Sequence, residues 1–365
     1  MQRTGVGNFN KVNGARDALH GMMNILVSEF VCGGGWPDAE MPASLQAEGR
    51  AMLLAVVEDL SRLPQTTLFT TWDTRFADVP FLPFDNVVIQ SVNSLKEEQD
   101  AIGRWIPLLD GALIIAPEFD GILQTRCEQL RTAGVRLLNS EAEALRITSD
   151  KLETFRLCQS LRIPTIKTLE ASQCHGDPPW LPCVVKLRDG AGGLMMSRLV
   201  TPGDWQEFQA RSDRMKFLLQ PEIVGRSLSV AAIVSHGTLK QLFLAGEQLF
   251  SEEDRFAYVG GEIPASGTPC RIPQNAIHRL VEQVVNAIPG LHGWIGFDLL
   301  LPDTNSDEPL LVEVNPRLTT SYVGYRALTR HNLAAWIVDP DHDTSPTFQG
   351  EVKFQSTGQI DTGRG

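Results

Sequence analysis

Asp298, Glu313 and Asn315 carry hard oxygen donors, the first two on short apolar runs at 295–301 and 310–314 and the third directly after the second run. Between the runs lies Asp303-Thr304-Asn305-Ser306-Asp307-Glu308, a polar segment rich in turn formers, so the pattern predicts an antiparallel hairpin. Folding it about Asn305 and Ser306 sets Asp298 opposite Glu313. Cβ atoms so opposed stand about 4.5–5.5 Å apart, and two carboxylates there repel each other. The strand period of two puts Asn315 on the same face as Glu313. A cation between them would relieve the repulsion. Oxygen ligands without His or Cys suit Mg²⁺ or Mn²⁺, shared with a polyphosphate. The alternative is a hairpin whose acids merely face water. The surrounding leucines and valines imply a largely buried sheet, where unpaired charge is costly, and this favours the metal reading.

Groups suited to phosphate and to a flat base stand upstream. Lys186 lies on the apolar run 183–187, followed by Arg188-Asp189-Gly190-Ala191-Gly192-Gly193 and a second strand pattern at 194–200. Glycines between two strands let backbone N–H groups approach phosphate oxygens, and the lysine supplies counter-charge. Taken alone, the same residues are a hairpin loop beside a cation. The strand pattern at 217–220 breaks at Pro221 and resumes after Gly225. Such a kinked connector, with Ile223 as an apolar wall, offers backbone groups to the edge of a base. Ser149-Asp150-Lys151 opens a helix with Ser149 as the expected N-cap. Glu29 closes the first strand pattern and runs into Cys32-Gly33-Gly34-Gly35. The spacing is not that of a dinucleotide site, so this is a tight turn, a phosphate loop, or an edge that meets a substrate. Pro117-Glu118 also follows a strand pattern, and Tyr258-Val259-Gly260-Gly261-Glu262 reads as a second glycine turn near Arg255.

The elements that must position these groups fall into two patterns. Strand signals at 24–31, 67–71, 87–90 and 111–115 alternate with helix signals at 44–63, 94–109 and 120–133, the pattern of a parallel α/β unit with ligands at its strand carboxyl ends. Beyond residue 140 come helices at 140–145 and 149–160, a hairpin-rich stretch, a helix at 271–288 before the metal hairpin, and one at about 325–338. The expected organisation is a leader without fixed structure at 1–21, an N-terminal α/β domain at 22–140, two α+β lobes around a cleft at 141–338, and a tail at 339–365 too poor in apolar residues to fold. The 365 residues, 42% hydrophobic and 21% charged, are those of an ordinary globular chain. A net charge of −12 argues against sequence-independent binding to nucleic acid, and no membrane span is visible. Six cysteines without Cys-x-x-Cys spacing read as reduced thiols in a cytoplasm.

Taken in order, Ser149-Asp150-Lys151, Lys186 with its glycine loop, the 220–223 connector, Asp298, and Glu313-Val314-Asn315-Pro316-Arg317 resemble the ATP-grasp superfamily over roughly residues 140–330. The resemblance implies two lobes that enclose ATP and a divalent metal, Mg²⁺ or Mn²⁺. Lys151 and Lys186 would contact the nucleotide and its phosphates, and Gly190, Gly192 and Gly193 would close over them. Gln220, Pro221, Glu222 and Ile223 would hold adenine, with Ser227 at the ribose, where many members have a carboxylate. Asp298, Glu313 and Asn315 would hold two metal ions. Gly296 replaces a common Arg, so Arg255 or Arg317 becomes the candidate to stabilise the transferred phosphoryl group.

The implied activity is that of a ligase, in which ATP activates a carboxylate to an acyl phosphate that an amine captures. Lys186 and Arg317 would be the catalytic cations, Arg317 clamping the substrate carboxylate; its plainer role is a salt bridge to Glu313. The run 313–322 and the Ser28-Glu29-Phe30 triplet before the glycines resemble the branch containing tyramine–glutamate ligases of methanofuran biosynthesis, a cofactor pathway. By that likeness Glu29, Gly34, Arg317, Thr319, Ser321 and Tyr322 would form the substrate face, Glu29 drawing an ammonium group. Another peptide or amino-acid ligase, and a nucleotide-binding scaffold without turnover, are the rival readings. The implied partners are small-molecule carboxylates and amines, not nucleic acid or membrane, with a homodimer left open.

Overall fold

The computed structural model describes residues 22–37, 41–75, 84–190, 195–251, 256–265, 272–304 and 307–361. The expected leader at 1–21, Gly192, Gly193, Arg255 and the hairpin tip at Asn305 and Ser306 lie outside the described residues. Strands β1 (Met23–Glu29), β2 (Thr66–Asp73), β3 (Val87–Val92), β4 (Gly111–Ile115) and β5 (Arg136–Leu137) form a parallel sheet in the order β3-β2-β1-β4-β5. Ile25, Leu26 and Val27 are fully buried, as a strand covered on both faces requires. The covering helices are α1 (Ala43–Ser61), α2 (Leu95–Trp105) and α3 (Ile122–Thr132). The strand order reverses at β1, so the crevice beside the carboxyl ends of β1 and β4 is where such a sheet receives a ligand.

Helices α4 (Ala142–Ser149) and α5 (Lys151–Leu161) lead out of this unit. Asp150, not Ser149, caps α5: its carboxylate accepts from the N–H groups of Leu152 and Glu153 at 3.0 and 3.2 Å. A carboxylate at a helix N-terminus also meets the positive end of the helix dipole, an advantage a serine hydroxyl lacks. The Ser149 hydroxyl is buried without a partner among the described residues.

The next sheet is antiparallel and small. Its strands β6 (Leu169–Glu170), β7 (Cys183–Leu187), β8 (Ser197–Leu199) and β9 (Phe217–Pro221) run in the order β6-β9-β7-β8, packed on α6 (Pro202–Gln209) through Trp205, Phe208 and Phe217.

The third sheet comprises β10 (Gly225–Ser235), β11 (Thr238–Leu242), β12 (Gly246–Phe250), β13 (Tyr258–Ile263), β14 (Gly293–Pro302), β15 (Leu310–Asn315), β16 (Val352–Gln355) and β17 (Ile360–Asp361). Its order is β15-β14-β10-β12-β13-β16-β17, with β11 on β10. Helix α7 (Gln274–Ala287) covers one face; α8 (Ser321–Ala327) and α9 (Ala334–Val338) lie against the other. Alternation along β14 divides its side chains between these layers. Ile295, Phe297 and Leu299 pack towards α7, whereas Trp294 joins Tyr322 and Tyr325. Asp298 shares the parity of Trp294, which aims it at the open part of that face.

Three elements differ from the sequence reading. Residues 258–262 belong to β13 and are not a turn; Gly261 stands there because a Cβ would come within 2.8 Å of the Phe354 ring. Phe354 itself lies in the tail expected to be unfolded: β16 pairs with β13 and buries Val352 and Phe354. Low average hydrophobicity concealed a two-sided Val-Lys-Phe-Gln strand, and only its distant partner makes it fold. The helix expected at 325–338 is two shorter ones, α8 and α9.

Candidate functional site

The small antiparallel sheet faces the third sheet across a cleft of about 570 Å³, a size suited to a small-molecule ligand. Its apolar end is walled by Val184 of β7, Ile223 and Leu300 of β14, with Ile166 beside them. Gln220, Pro221, Glu222 and Ile223 follow one edge of this slot, and Ser227 of β10 lines it further in. Gln220 is fixed by donating to the Thr168 hydroxyl at 2.8 Å. The Glu222 carboxylate takes Arg198 at 2.7 Å, so that residue offers the slot its backbone more than its charge.

At the centre the hairpin register is the one the sequence implied. Asp298 pairs with Glu313 and Gly296 with Asn315, although a bulge slips the ladder by one residue immediately beyond the acids. The Asn315 amide donates to Asp298 at 3.1 Å, and Gln248 of β12 donates to its other oxygen at 3.0 Å. Burial, and then the charge of Glu313, push the Asp298 carboxyl up to about 7. Gly296 has no side chain because a Cβ would meet the Thr319 methyl at 2.5 Å. Thr319 therefore fills the space next to the acids that an arginine would need.

Two lysines converge on the same point. Lys151, the first residue of α5, places its ammonium 2.8 Å from Glu313 and also donates to the Gly190 carbonyl. Lys186 is 4% exposed; burial lowers its pKa to about 8 while the charge of Glu313 opposes the shift. Asp150 holds Arg188 through a fork at 2.6–2.9 Å, which ties the start of the glycine loop to the cap of α5.

The donor chemistry can be tested against a divalent cation. Among the described residues no group of three His, Cys, Asp and Glu side chains is assembled for a metal. What exists is two opposed carboxylates and an amide, a partial oxygen shell whose mutual repulsion a cation would offset and which a polyphosphate would complete. That fits Mg²⁺ or Mn²⁺ carried with a nucleotide and does not fit a structural zinc centre.

The far end of the cleft departs most from expectation. Arg317 lines it but is paired with Glu118, at 2.8 and 3.2 Å, and not with Glu313. Glu118 follows β4, so this pair joins the third sheet to the carboxyl edge of the parallel one. Thr319 and Ser321 line the cleft and share a hydrogen bond of 2.9 Å between their hydroxyls. Tyr322 does not line it. Its ring stands 5.1 Å from Trp294 in the core and its hydroxyl donates to Asp59 at 2.7 Å, because α8 turns that side inward. Glu29 is equally withdrawn: it is 2% exposed, accepts from the Cys32 N–H at 2.5 Å, and lies under Gly49 of α1, where a Cβ would be 2.6 Å from its oxygen. Gly34, with φ +96°, packs against Val92 away from the cleft.

Sequence reading missed Glu48, Gln248 and Tyr258, all of which line the cleft. Nothing local singles them out, since each reaches the site through pairing between distant elements.

Comparison with known proteins gives concordant findings. A family model described as an ATP-grasp domain matches residues 148–321, and one described as a pre ATP-grasp 3 domain matches 66–145. The tyramine–L-glutamate ligase of Methanocaldococcus fervens is 26% identical over 339 residues, covering 90% of this chain and 98% of the relative. That of Methanocaldococcus jannaschii is 25% identical over 92% of each. A crystal structure of an ATP-grasp superfamily protein from Archaeoglobus fulgidus superposes with a TM-score of 0.69 at 20% identity, over 91% of this chain and 92% of that one. The L-amino acid ligase of Bacillus licheniformis gives 0.65 at 15% identity, over 91% and 79%.

Proposed function

We propose that this chain, which belongs to the ATP-grasp superfamily, is an ADP-forming ligase that joins a carboxylate to an amine, with glutamate as the acid and an arylalkyl amine such as tyramine as the acceptor. The observation that carries the reading is the convergence of Asp298, Glu313 and Asn315 with Lys151 and Lys186 at the mouth of an apolar slot. The slot accepts a base between Val184, Ile223 and Leu300, and backbone groups along 220–223 meet its edge. Phosphates then fall between the two lysines, whose charge offsets theirs as the terminal phosphoryl group transfers. Asp298, Glu313 and Asn315 would hold a divalent metal, which supplies charge neutralisation on the phosphate oxygens.

An oxygen of the substrate carboxylate attacks the terminal phosphorus, the bond to ADP breaks, and an acyl phosphate remains. The amine nitrogen then forms the C–N bond as phosphate leaves. Thr319, Ser321 and Arg317 line the cleft and would hold the acid for the first of these steps. The glutamate and tyramine assignment rests on likeness to relatives at about a quarter identity over nine-tenths of the chain. An ADP-release screen that crosses amino acids with amines tests it. The expected result is release that needs both an acid and an amine, greatest with glutamate and an aromatic amine. Release indifferent to both would overturn the ligase assignment, and preference for an amino acid as acceptor would replace tyramine with a peptide-type substrate.

A further inference from the structure

The acceptor amine is a cation in water and must lose a proton before its lone pair can attack. The carboxylates that line the cleft differ in what they are free to do. Glu222 is paired with Arg198 and Glu313 with Lys151, while Asp298 takes the amides of Asn315 and Gln248. Glu48 is different. It projects from α1 into the cleft beside Arg317, yet Arg317 forks onto Glu118. Among the described residues the hydrogen bond to Glu48 comes from the Thr320 hydroxyl, at 3.4 Å. The aromatic side chain of Tyr258 lines the cleft near Glu48, and an ammonium group is favoured beside such a ring.

We propose that Glu48 receives the ammonium group of the acceptor amine and is the base that takes its proton. This rests on the ligase reading above and moves the role expected of Glu29 to a residue on α1. Glu48 accepts one proton, which frees the nitrogen lone pair. The C–N bond forms at the acyl carbon, the C–O bond to phosphate breaks with its electron pair on phosphate, and the departing phosphate carries away the second N–H proton. The groups around Glu48 are Thr320 and Arg317 after β15 and Tyr258 on β13, whereas Arg50, two residues along its own helix, turns away over the Trp72 ring. Burial raises the Glu48 carboxyl to about 7 against the opposing pull of Arg317, which suits a base working at neutral pH. Tyr258 feels the charge of both Glu48 and Asp298, which sets the amine site next to the phosphoryl site.

The test compares two nucleophiles, with L-glutamate and ATP fixed: tyramine, a cation at neutral pH, and hydroxylamine, largely uncharged there. In Glu48→Gln the ratio of tyramide to hydroxamate formed should fall by about 100-fold or more, with partial recovery in Glu48→Asp. Wild-type tyramide formation should rise through about pH 7, and the variant should lose that rise. An unchanged ratio with an unchanged pH profile, in a variant that melts like the wild type, overturns the role of Glu48 and leaves the ligase intact. Hydroxamate without tyramide from the wild type overturns the acceptor class. Neither product from the wild type overturns the ligase reading, and this inference with it.

Discussion

The carboxyl edge of the parallel sheet and the β14–β15 hairpin are both crowded with acids, and they treat them in opposite ways. At the parallel edge nearly every acid has its own cation: Asp73 holds Arg75 at 2.6 Å, Glu98 holds Arg126 at 2.5 Å, and Glu118 holds Arg317 at 2.8 Å. Glu29 has backbone N–H groups in place of a cation. At the hairpin two acids are set face to face, and while Glu313 has Lys151 at 2.8 Å, Asp298 is given only amides. An acid at a strand end is therefore a weak sign of a ligand, because the fold can neutralise it from within. Uncompensated charge is the stronger sign, since a structure retains it only where something else completes it.

The largest effect that separates the two regions should come from Asp298→Asn. It relieves the opposition to Glu313 and removes a proposed metal ligand together. ADP release should fall by at least about 100-fold, while the ligand-free protein melts no lower than the wild type. A variant with near-normal turnover would place the hairpin among the merely structural acids.

At the parallel edge the loss should instead fall on stability. Glu118→Ala leaves Arg317 buried without its partner, and unfolding by denaturant should show about 3 kcal/mol less stability. A negligible change would mean that Arg317 is held by the cleft acids and that the two regions share one charge network.

The smallest effect is expected at Glu29. Burial raises its carboxyl to about 7, so the folded chain keeps a proton that the unfolded chain releases near its ordinary 4.5. The folded state binds more protons across that window, so this group makes stability fall as pH rises from about 4.5 to 7. Glu29→Gln should therefore gain in melting temperature relative to the wild type between pH 5 and pH 8, with turnover unaltered. A raised KM for the amine would return Glu29 to the substrate face.

What could be read from the sequence follows the same division. The parallel unit was legible because strands buried on both faces are continuous apolar runs, as at Ile25, Leu26 and Val27. The opposition of Asp298 and Glu313 was legible, since symmetry about a polar turn sets one against the other, whereas the bulge immediately beyond them was not. Glu29 and Tyr322 were misplaced for one reason. A motif gives position along the chain, but whether a side chain faces the cleft depends on what packs above it, here Gly49 over Glu29 and Trp294 against Tyr322. Glu48 was invisible because its neighbours Thr320 and Tyr258 lie more than two hundred residues away.

The pairing of β16 with β13 bears on how the chain can be handled. Truncation at residue 338 looks harmless from composition, yet it would strip β16 and β17 from the third sheet and uncover the backbone of β13. It would also empty the space that Phe354 fills against Gly261 and Gly324. An open edge bearing glycines and apolar neighbours is an invitation to intermolecular strand addition, so such a fragment would tend towards aggregates. β16 works as a clasp that closes the β13 edge of the third sheet.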